Sequence, residues 1–294
     1  MQTLNLLLLS AGFGLITASI LAIAAVGLSL QFGVTNYINF AYGDLLTFGV
    51  YAAFVFNQRL GLNIWIGLVA AMILTAILAW LLNVFVLQPF ADRGNSPIIM
   101  LVVTLGVSLI LQNVVLGVFG SQFQDYTVNT GRTLHLGPFL FTPLQLGIIG
   151  LAIVAMLGVH VLLRYTRLGR AMRAVSDSPE LARISGINTR FIINAVWLLT
   201  GALAGLSGVV LALNVASFTP TVGYGFLFVI FAAVILGGIG RPYGAMAGAL
   251  VVGIATEMSA AFISSEYKDA IAFVILIIAL LIRPQGIFSS RGRA

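Results

Sequence analysis

Apolar residues fill nine runs of this chain, and short polar intervals separate the runs. A helix needs about 20 consecutive apolar residues to cross the hydrocarbon core of a bilayer. Most of the runs reach or approach that length, so we expect an all-α, polytopic membrane bundle of about eight or nine transmembrane helices in a single domain, residues 1–294. The runs cover residues 7–30, 40–56, 62–87, 97–119, 144–163, 191–213, 222–239, 243–263 and 270–282.

The run at 40–56 decides between eight and nine spans. It is short, and it holds an acidic residue, Asp44, near its beginning. If this run crosses the bilayer, the chain has nine spans and its N-terminus lies outside; if the run is re-entrant, the chain has eight and its N-terminus lies inside. The first 43 residues carry no side-chain charge. The basic segment of a cleavable signal peptide is therefore missing, and we expect the first run to stay as a span.

Positive charge is concentrated in one polar interval, residues 164–190, which holds six of the fourteen Lys and Arg residues. Arg283, Arg291 and Arg293 form a second basic segment in the tail. Loops rich in Lys and Arg lie on the cytoplasmic side of a membrane, so we expect both segments there. Counting the crossings then assigns the other loops: Asp92, Arg93 and Arg241 inside, and residues 120–143, Glu266, Lys268 and Asp269 outside.

Composition excludes an ordinary soluble domain. Hydrophobic residues make up 60% of the chain and charged residues only 7%, whereas about 25% of the residues in a soluble domain are charged. The absence of cysteine excludes a disulfide framework and thiolate metal sites. The net charge of +6 lies in a few loops, so it indicates topology and not a surface for nucleic acid.

The basic interval itself predicts two short cytoplasmic helices. The first covers about 169–175, and Ser178 can cap the second, with Pro179 at its first position and Glu180 near its positive end. Gly186 stands where a left-handed residue ends a helix. Residues 180–186 read E-x-A-x-x-x-G, a spacing similar to the EAA loop with which ABC-importer permeases dock onto their ATPase subunits. An ordinary basic loop that obeys the positive-inside rule is the alternative.

Polar residues inside the apolar runs are candidates for a translocation path. Thr104, Ser108 and Gln112 recur at every fourth position, so they share one face of a helix. Asn39, just before the run at 40–56, is a further candidate. Hydroxyl groups that bond back to their own helix are the alternative explanation.

Asp44 and Glu257 are the acidic residues that lie well within apolar runs, and buried acidic groups can relay protons in secondary transporters. A proton-coupled transporter is therefore an alternative function. The structural alternatives are a cap or interfacial group for Asp44 and a charge pair with a neighbouring helix for Glu257.

Glycine-rich segments suggest packing and turns. Gly201, Gly205 and Gly208 permit close helix contact, as do Gly244 and Gly248. Gly237, Gly238 and Gly240 form a broken span end with a possible role in gating or packing. Residues 221–225 spell TVGYG, the potassium-channel filter. Pro220 would interrupt the pore helix that such a filter requires, so we expect a turn that opens a short span.

Several separated motifs, in order along nearly the whole chain, resemble the LivH-type permeases of branched-chain amino acid ABC importers. The family's INFAHG segment is matched by residues 36–43, NYINFAYG, with Tyr42 where histidine is usual. Its R-x-G-R-A-x-R-A loop is matched by residues 167–187, and its AVLGGIG signature by residues 234–240, VILGGIG, with Arg241 where a small residue is usual. Residues 265–269 and 283–286 resemble its STEYKD and P-x-G ends.

The resemblance implies a pathway-forming subunit that is not an enzyme on its own. Such permeases lie in the bacterial inner membrane with a paralogous LivM-like permease, two cytoplasmic ABC ATPases and an extracytoplasmic substrate-binding protein. ATP and Mg²⁺ belong to the ATPases, and we expect this chain to bind no cofactor. Relatives in the family carry urea or short amides, so the cargo stays open. Whether the partner permease is a second gene product or another copy of this chain is also open.

The resemblance further implies which residues couple transport to ATP. The basic loop of the family docks onto the ATPase, and a glycine turn ends its helix. Carried over to this chain, the implied coupling residues are Arg167, Gly169, Arg170, Arg173, Glu180, Ala182 and Gly186.

Overall fold

Apolar runs form helices because no water in the bilayer can bond to free backbone groups. In the computed structural model, which describes residues 2–94, 96–128, 131–136, 139–260, 262, 264 and 267–282, each of the nine predicted runs contains a helix. The helices are α1 Gln2–Thr35, α2 Tyr42–Phe54, α3 Ile64–Leu82, α4 Gln88–Ala91, α5 Pro97–Phe119, α6 Pro143–Tyr165, α7 Arg167–Asp177, α8 Pro179–Ile184, α9 Thr189–Val215, α10 Val222–Gly237, α11 Pro242–Ala260 and α12 Lys268–Ile282. The all-α, polytopic prediction is confirmed.

Six helical segments of the described chain are long and apolar enough to cross a membrane, and the shorter apolar helices include α10 and most of α12. Two five-residue π-helical turns, Val55–Arg59 and Asn83–Leu87, continue α2 and α3. The α2 helix has only 13 residues, a rise of about 20 Å against the roughly 30 Å of hydrocarbon core. The choice between eight and nine spans stays a prediction.

The contacts divide the chain into two compact units, each built from separate segments. The first unit comprises residues 1–29, 128–155 and 228–294; the second comprises 30–127 and 156–227. The assignment of residues 1–294 to one domain stays a prediction. Arg283, Arg291, Arg293 and Glu266 lie outside the described residues, as do most of the two end motifs at 265–269 and 283–286.

In the first unit, small residues bring α1 and α11 together. A Cβ atom at Gly14 would lie 2.9 Å from the Cα atom of Ile254, so the two backbones touch. Thr17 donates a hydrogen bond to Glu257 Oε1 (2.9 Å), and Lys268 Nζ lies 2.7 Å from Glu257 Oε2. Glu257 therefore forms a structural charge pair, as the structural alternative predicted. The strands β2 Leu134–Leu136 and β3 Phe139–Phe141 form an antiparallel hairpin in this unit.

The turn between α10 and α11 contains the glycines that were candidates for gating or packing. Gly237 ends α10, and a side chain there would collide with the backbone of Gly244. Gly238 and Gly240 have φ angles of 102° and 77°, values that favour glycine. Gly237 thus makes a close packing contact, whereas for Gly238 and Gly240 a role in gating or packing stays a prediction, as does gating at Gly237.

The core of the second unit consists of α2, α3 and α9. Glycine allows these helices to approach closely: a Cβ atom at Gly205 of α9 would lie 2.8 Å from the carbonyl oxygen of Ala71 on α3. A Cβ atom at Gly49 of α2 would lie 2.6 Å from Gly205 itself. Contacts of this kind are the usual packing mode of membrane helices, which gain stability from van der Waals contact. The predicted packing role of the glycines on α9 is confirmed.

At one end of the second unit, the loop after α5 is tied to the helices beside it. The two-residue strand β1 Gln124–Asp125 pairs with β4 Ser217–Phe218. Tyr126 donates a hydrogen bond to the carbonyl oxygen of Val50 (2.9 Å), and burial raises the pKa of this phenol well above its ordinary value. Residues 220–221 form a turn and α10 begins at Val222, so the TVGYG sequence is the start of a helix and not a channel filter.

Candidate functional site

The basic loop folds into two short helices whose ends are capped by the chain itself. Thr166 Oγ1 accepts a hydrogen bond from Gly169 N (3.0 Å) at the beginning of α7. Ser178 Oγ accepts one from Leu181 N (3.3 Å) at the beginning of α8. Gly186 has a φ angle of 83°, and Ile187 N bonds to the carbonyl oxygen of Ala182 (3.0 Å). The predicted helices, the serine cap and the glycine stop are all confirmed; the threonine cap was not predicted.

One face of α7 is packed and the other is charged. Gly169, Met172 and Val175 are buried, and a side chain at Gly169 would collide with the backbone at the end of α6. Arg167, Arg170 and Arg173 are exposed. The arrangement fixes α7 against α6 while its arginines remain free to meet a partner.

The α8 helix exposes two large apolar side chains that the sequence reasoning missed. Leu181 is 66% exposed and Ile184 is 83% exposed, while Ala182 between them is buried. Glu180, Arg183 and Gly186 are exposed around them. We call Leu181, Ile184 and the exposed arginines of α7 and α8 the basic-apolar surface. Helical periodicity in the E-x-A-x-x-x-G motif could have predicted this surface, because Leu181 and Ile184 do not share the face of the buried Ala182.

The helix that follows α8 is joined to the core of the second unit by polar contacts. Asn188 caps α9 by accepting a hydrogen bond from Phe191 N (3.1 Å). Arg190 then forms an ion pair with Asp92 (2.8 Å), which confirms that the loop at 92–93 and the basic loop lie at the same end of this unit. Asn83 Nδ2 donates to Asn194 Oδ1 (2.8 Å) inside the π-helical turn after α3. These contacts connect α8 mechanically to α3.

A second polar region lies where α1 ends and α2 begins. Residues 36–41 have no regular structure, and Asn36 adopts a left-handed φ angle of 57°. Asn39 holds this break together: its Oδ1 accepts a hydrogen bond from Ala41 N (3.0 Å), and its Nδ2 donates to Gln31 Oε1 (3.1 Å). Broken helices occur at membrane depth only where other groups satisfy the freed backbone. We call residues 31–44 with Thr104 and Ser108 the helix break.

Two of the predicted path residues on α5 belong to the helix break. Thr104 Oγ1 accepts a hydrogen bond from Phe40 N (3.3 Å), and Ser108 donates one to Asp44 Oδ2. Asn39, Thr104, Ser108 and Asp44 are each at most 2% exposed. Gln112, the fourth candidate, is half-buried. Three of the four candidates therefore come together, and their role in a translocation path stays a prediction.

Several buried polar atoms of the helix break have no partner among the described residues: Gln31 Nε2, Tyr42 OH and Asp44 Oδ1. An unpaired buried polar group costs about 1–3 kcal/mol, and more when it is charged. Close packing surrounds them, since a Cβ atom at Gly43 would lie 2.6 Å from the carbonyl oxygen of Gly223. Asp44 lies in the first turn of α2, near the start of its apolar run as the sequence indicated, and it is buried beside the middle of α5.

Comparison with known proteins agrees with this geometry. The model of a family described as the permease component of branched-chain amino acid transport systems matches residues 10–280. The chain belongs to this permease family. It is 32% identical to the high-affinity branched-chain amino acid permease LivH of Escherichia coli K12, over 93% of this chain and 92% of the relative. It is 31% identical to BraD of Pseudomonas aeruginosa, over 93% of each chain.

A permease with a different cargo is also similar to this one. The ribose import permease RbsC of Escherichia coli K12 is 30% identical over 90% of this chain and 82% of the relative. Among solved structures, PsaBC from Streptococcus pneumoniae in complex with Fab matches with a TM-score of 0.51 and 16% identity, over 94% of this chain and 92% of that one. The match supports the fold. The chain is thus a multi-pass permease subunit of a transport system.

Proposed function

We propose that the chain is the pathway-forming subunit of an ABC importer for branched-chain amino acids in a bacterial inner membrane. Its partners are a LivM-like permease, two cytoplasmic ATPases that bind ATP and Mg²⁺, and an extracytoplasmic binding protein. The permeases LivH and BraD, about 30% identical over almost the whole chain, support the cargo. The observation that carries the coupling is the basic-apolar surface on α7 and α8.

That surface has the features of a docking element. Leu181 and Ile184 project from a capped helix, and covering such side chains contributes about 1.5–3 kcal/mol each. The arginines around them favour an acidic rim on the partner and fix the orientation of docking. An ATPase with an apolar socket and an acidic rim fits both features.

Movement of the docked helix has a direct route into the core. The α8 helix leads through the Asn188 cap into α9, and α9 is packed without intervening side chains against α3 and α2 through Gly201, Gly205 and Gly208. Packed elements of this kind move as one body and not by continuous deformation. Closure of the ATPase pair would therefore shift α9, α3 and α2 together.

The test is purification of the tagged chain with its partners in mild detergent, followed by ATP-driven uptake of labelled leucine, isoleucine and valine. We expect two ATPases and a second permease to copurify with the wild type. The double variant Leu181→Asp, Ile184→Asp should lose the ATPases and keep the permease. Ser176→Asp, which adds charge at an exposed site on α7, is the control and should keep both. Recovery of the chain alone, or equal ATPase recovery in the double variant, would contradict the proposal.

A further inference from the structure

The helix break places a charged group beside the middle of a long apolar helix. Asp44 bonds to Ser108, and Ser108 is the middle residue of the 23-residue helix α5. In many transporters the substrate site lies near the middle of the bilayer, where helices are discontinuous. Asp44 lies at a broken helix and beside the middle of the long helix α5.

The charge of Asp44 has no cationic side-chain partner among the described residues. Its Oδ2 accepts the hydrogen bond from Ser108, while its Oδ1 has no partner among the described residues. Glu257, the other acidic residue of the apolar runs, has a lysine 2.7 Å away. A carboxylate inside a membrane costs at least about 2.5 kcal/mol, so an intramembrane acidic group normally has a cationic partner or a function. A cationic group that arrives with the cargo fits this position.

Positive potential and an amide donor lie at the helix end that carries Asp44. The α2 helix begins after Ala41 without a side-chain cap, and the N-terminus of a helix attracts negative charge. Gln31 Nε2 is a buried amide donor for which the described part of the chain supplies no acceptor. Gln31 is joined through Asn39 to Ala41, the N-cap of α2, and Asp44 lies in the first turn of the same helix. An acceptor for an ammonium group and donors for a carboxylate group are therefore found at one helix end.

We propose that the helix break recognises the cargo as a zwitterion, with Asp44 Oδ1 binding the α-ammonium group and the Gln31 amide with the beginning of α2 binding the α-carboxylate. The inference rests on the proposed function and adds that the permease itself, not the binding protein alone, rejects neutral molecules such as sugars and urea. Asp44 is 1% exposed, so the cargo reaches it only after the surrounding helices separate. The movement of α9, α3 and α2 would supply that step.

The test uses the complete importer in proteoliposomes with its binding protein and L-[¹⁴C]leucine. Asp44→Asn keeps the shape and removes the charge, and we expect it to lower ATP-driven uptake about tenfold or more, the factor that 1.4 kcal/mol of lost interaction gives. Asp44→Glu should recover part of the uptake. Ser108→Ala, which removes the hydrogen bond and keeps the charge, should lower uptake less than Asp44→Asn does.

A second measurement separates recognition from folding. Asn at position 44 keeps an oxygen that can accept the hydrogen bond from Ser108 and removes the cost of burying a charge, so the thermal midpoint of Asp44→Asn should equal or exceed that of the wild type. Normal uptake by Asp44→Asn, or equal losses in Asp44→Asn and Ser108→Ala with a lowered midpoint, would overturn the inference. If the wild type moves ribose or urea and no branched-chain amino acid, the proposed function itself fails.

Discussion

The basic-apolar surface and the helix break are both polar interruptions of an apolar chain, and they use polar residues in opposite ways. On α7 and α8 the arginines are exposed to solvent, which can satisfy each of them separately. In the helix break one carboxylate, two amides and several hydroxyls are buried, and Asn39 bonds to Gln31 as Ser108 bonds to Asp44. Polar groups in water are tolerated singly, whereas buried ones must be satisfied as a set. The first region is therefore distinguished by a cluster of exposed positive charges, and the second by a network of buried hydrogen bonds in which some polar atoms lack partners among the described residues.

The largest expected effect is on packing at the helix break. Gly43→Val would force a Cβ atom to 2.6 Å from the carbonyl oxygen of Gly223, and overpacking of this kind costs about 1–3 kcal/mol or more. We expect little folded protein in size-exclusion chromatography and a lower thermal midpoint. Gly158→Val on α6, where an added Cβ atom would have no neighbour within 4 Å beyond the adjoining backbone of its own helix, is the matched control. Equal yields from both variants would show that the break is loosely packed.

A smaller effect on stability, with a large effect on transport, is expected at Gly186. Its φ angle of 83° costs a residue with a side chain roughly 1–2 kcal/mol. The position is exposed, so Gly186→Val should insert and fold but present α8 wrongly, and ATPase docking and leucine uptake should be lost. Ser185→Val, one residue earlier at a φ angle of −75°, controls for bulk. Uptake by Gly186→Val equal to that of Ser185→Val would argue against a role for the turn in coupling.

The smallest effect is expected at the ion pair between Arg190 and Asp92. Both side chains are at least half exposed, and such pairs contribute about 0.2–1 kcal/mol. Arg190→Asp should lower the thermal midpoint slightly, and exchanging both charges should restore it. If Arg190→Asp loses most of its uptake and the exchange of both charges restores it, this exposed pair takes part in coupling and is not only a weak stabilising contact.

Much of the fold followed from the sequence because membrane helices are long and apolar. The helix α5 begins and ends where the prediction placed it, and Ser178 and Gly186 act as the cap and stop that their chemistry indicated. These are local rules, in which a residue acts on the backbone beside it. The basic interval was equally predictable, because clusters of Lys and Arg lie in loops on the cytoplasmic side and not within the spans.

The helix break was only partly predictable, because its contacts join residues far apart in the chain. Asp44 and Ser108 are 64 residues apart, and no periodicity within either segment indicates that they meet. The i, i+4 pattern found Thr104 and Ser108 but included Gln112, which is half-buried. The same pattern could not show that the side chain of Asn39 forms hydrogen bonds with Gln31 and Ala41. Leu181 and Ile184 were missed because exposure depends on which side of α8 packs.

The bond between Asp44 and Ser108 also sets an order for biosynthesis. The hydroxyl donor is made 64 residues after the carboxylate, a delay of roughly 3–13 s at 5–20 residues per second. During that interval α2 is a short segment with a charge that its later partner does not yet satisfy. We therefore expect α2 to wait beside the translocon and to enter the bilayer only together with α5, so this pair of residues fixes when, as well as where, the second helix of the permease is integrated.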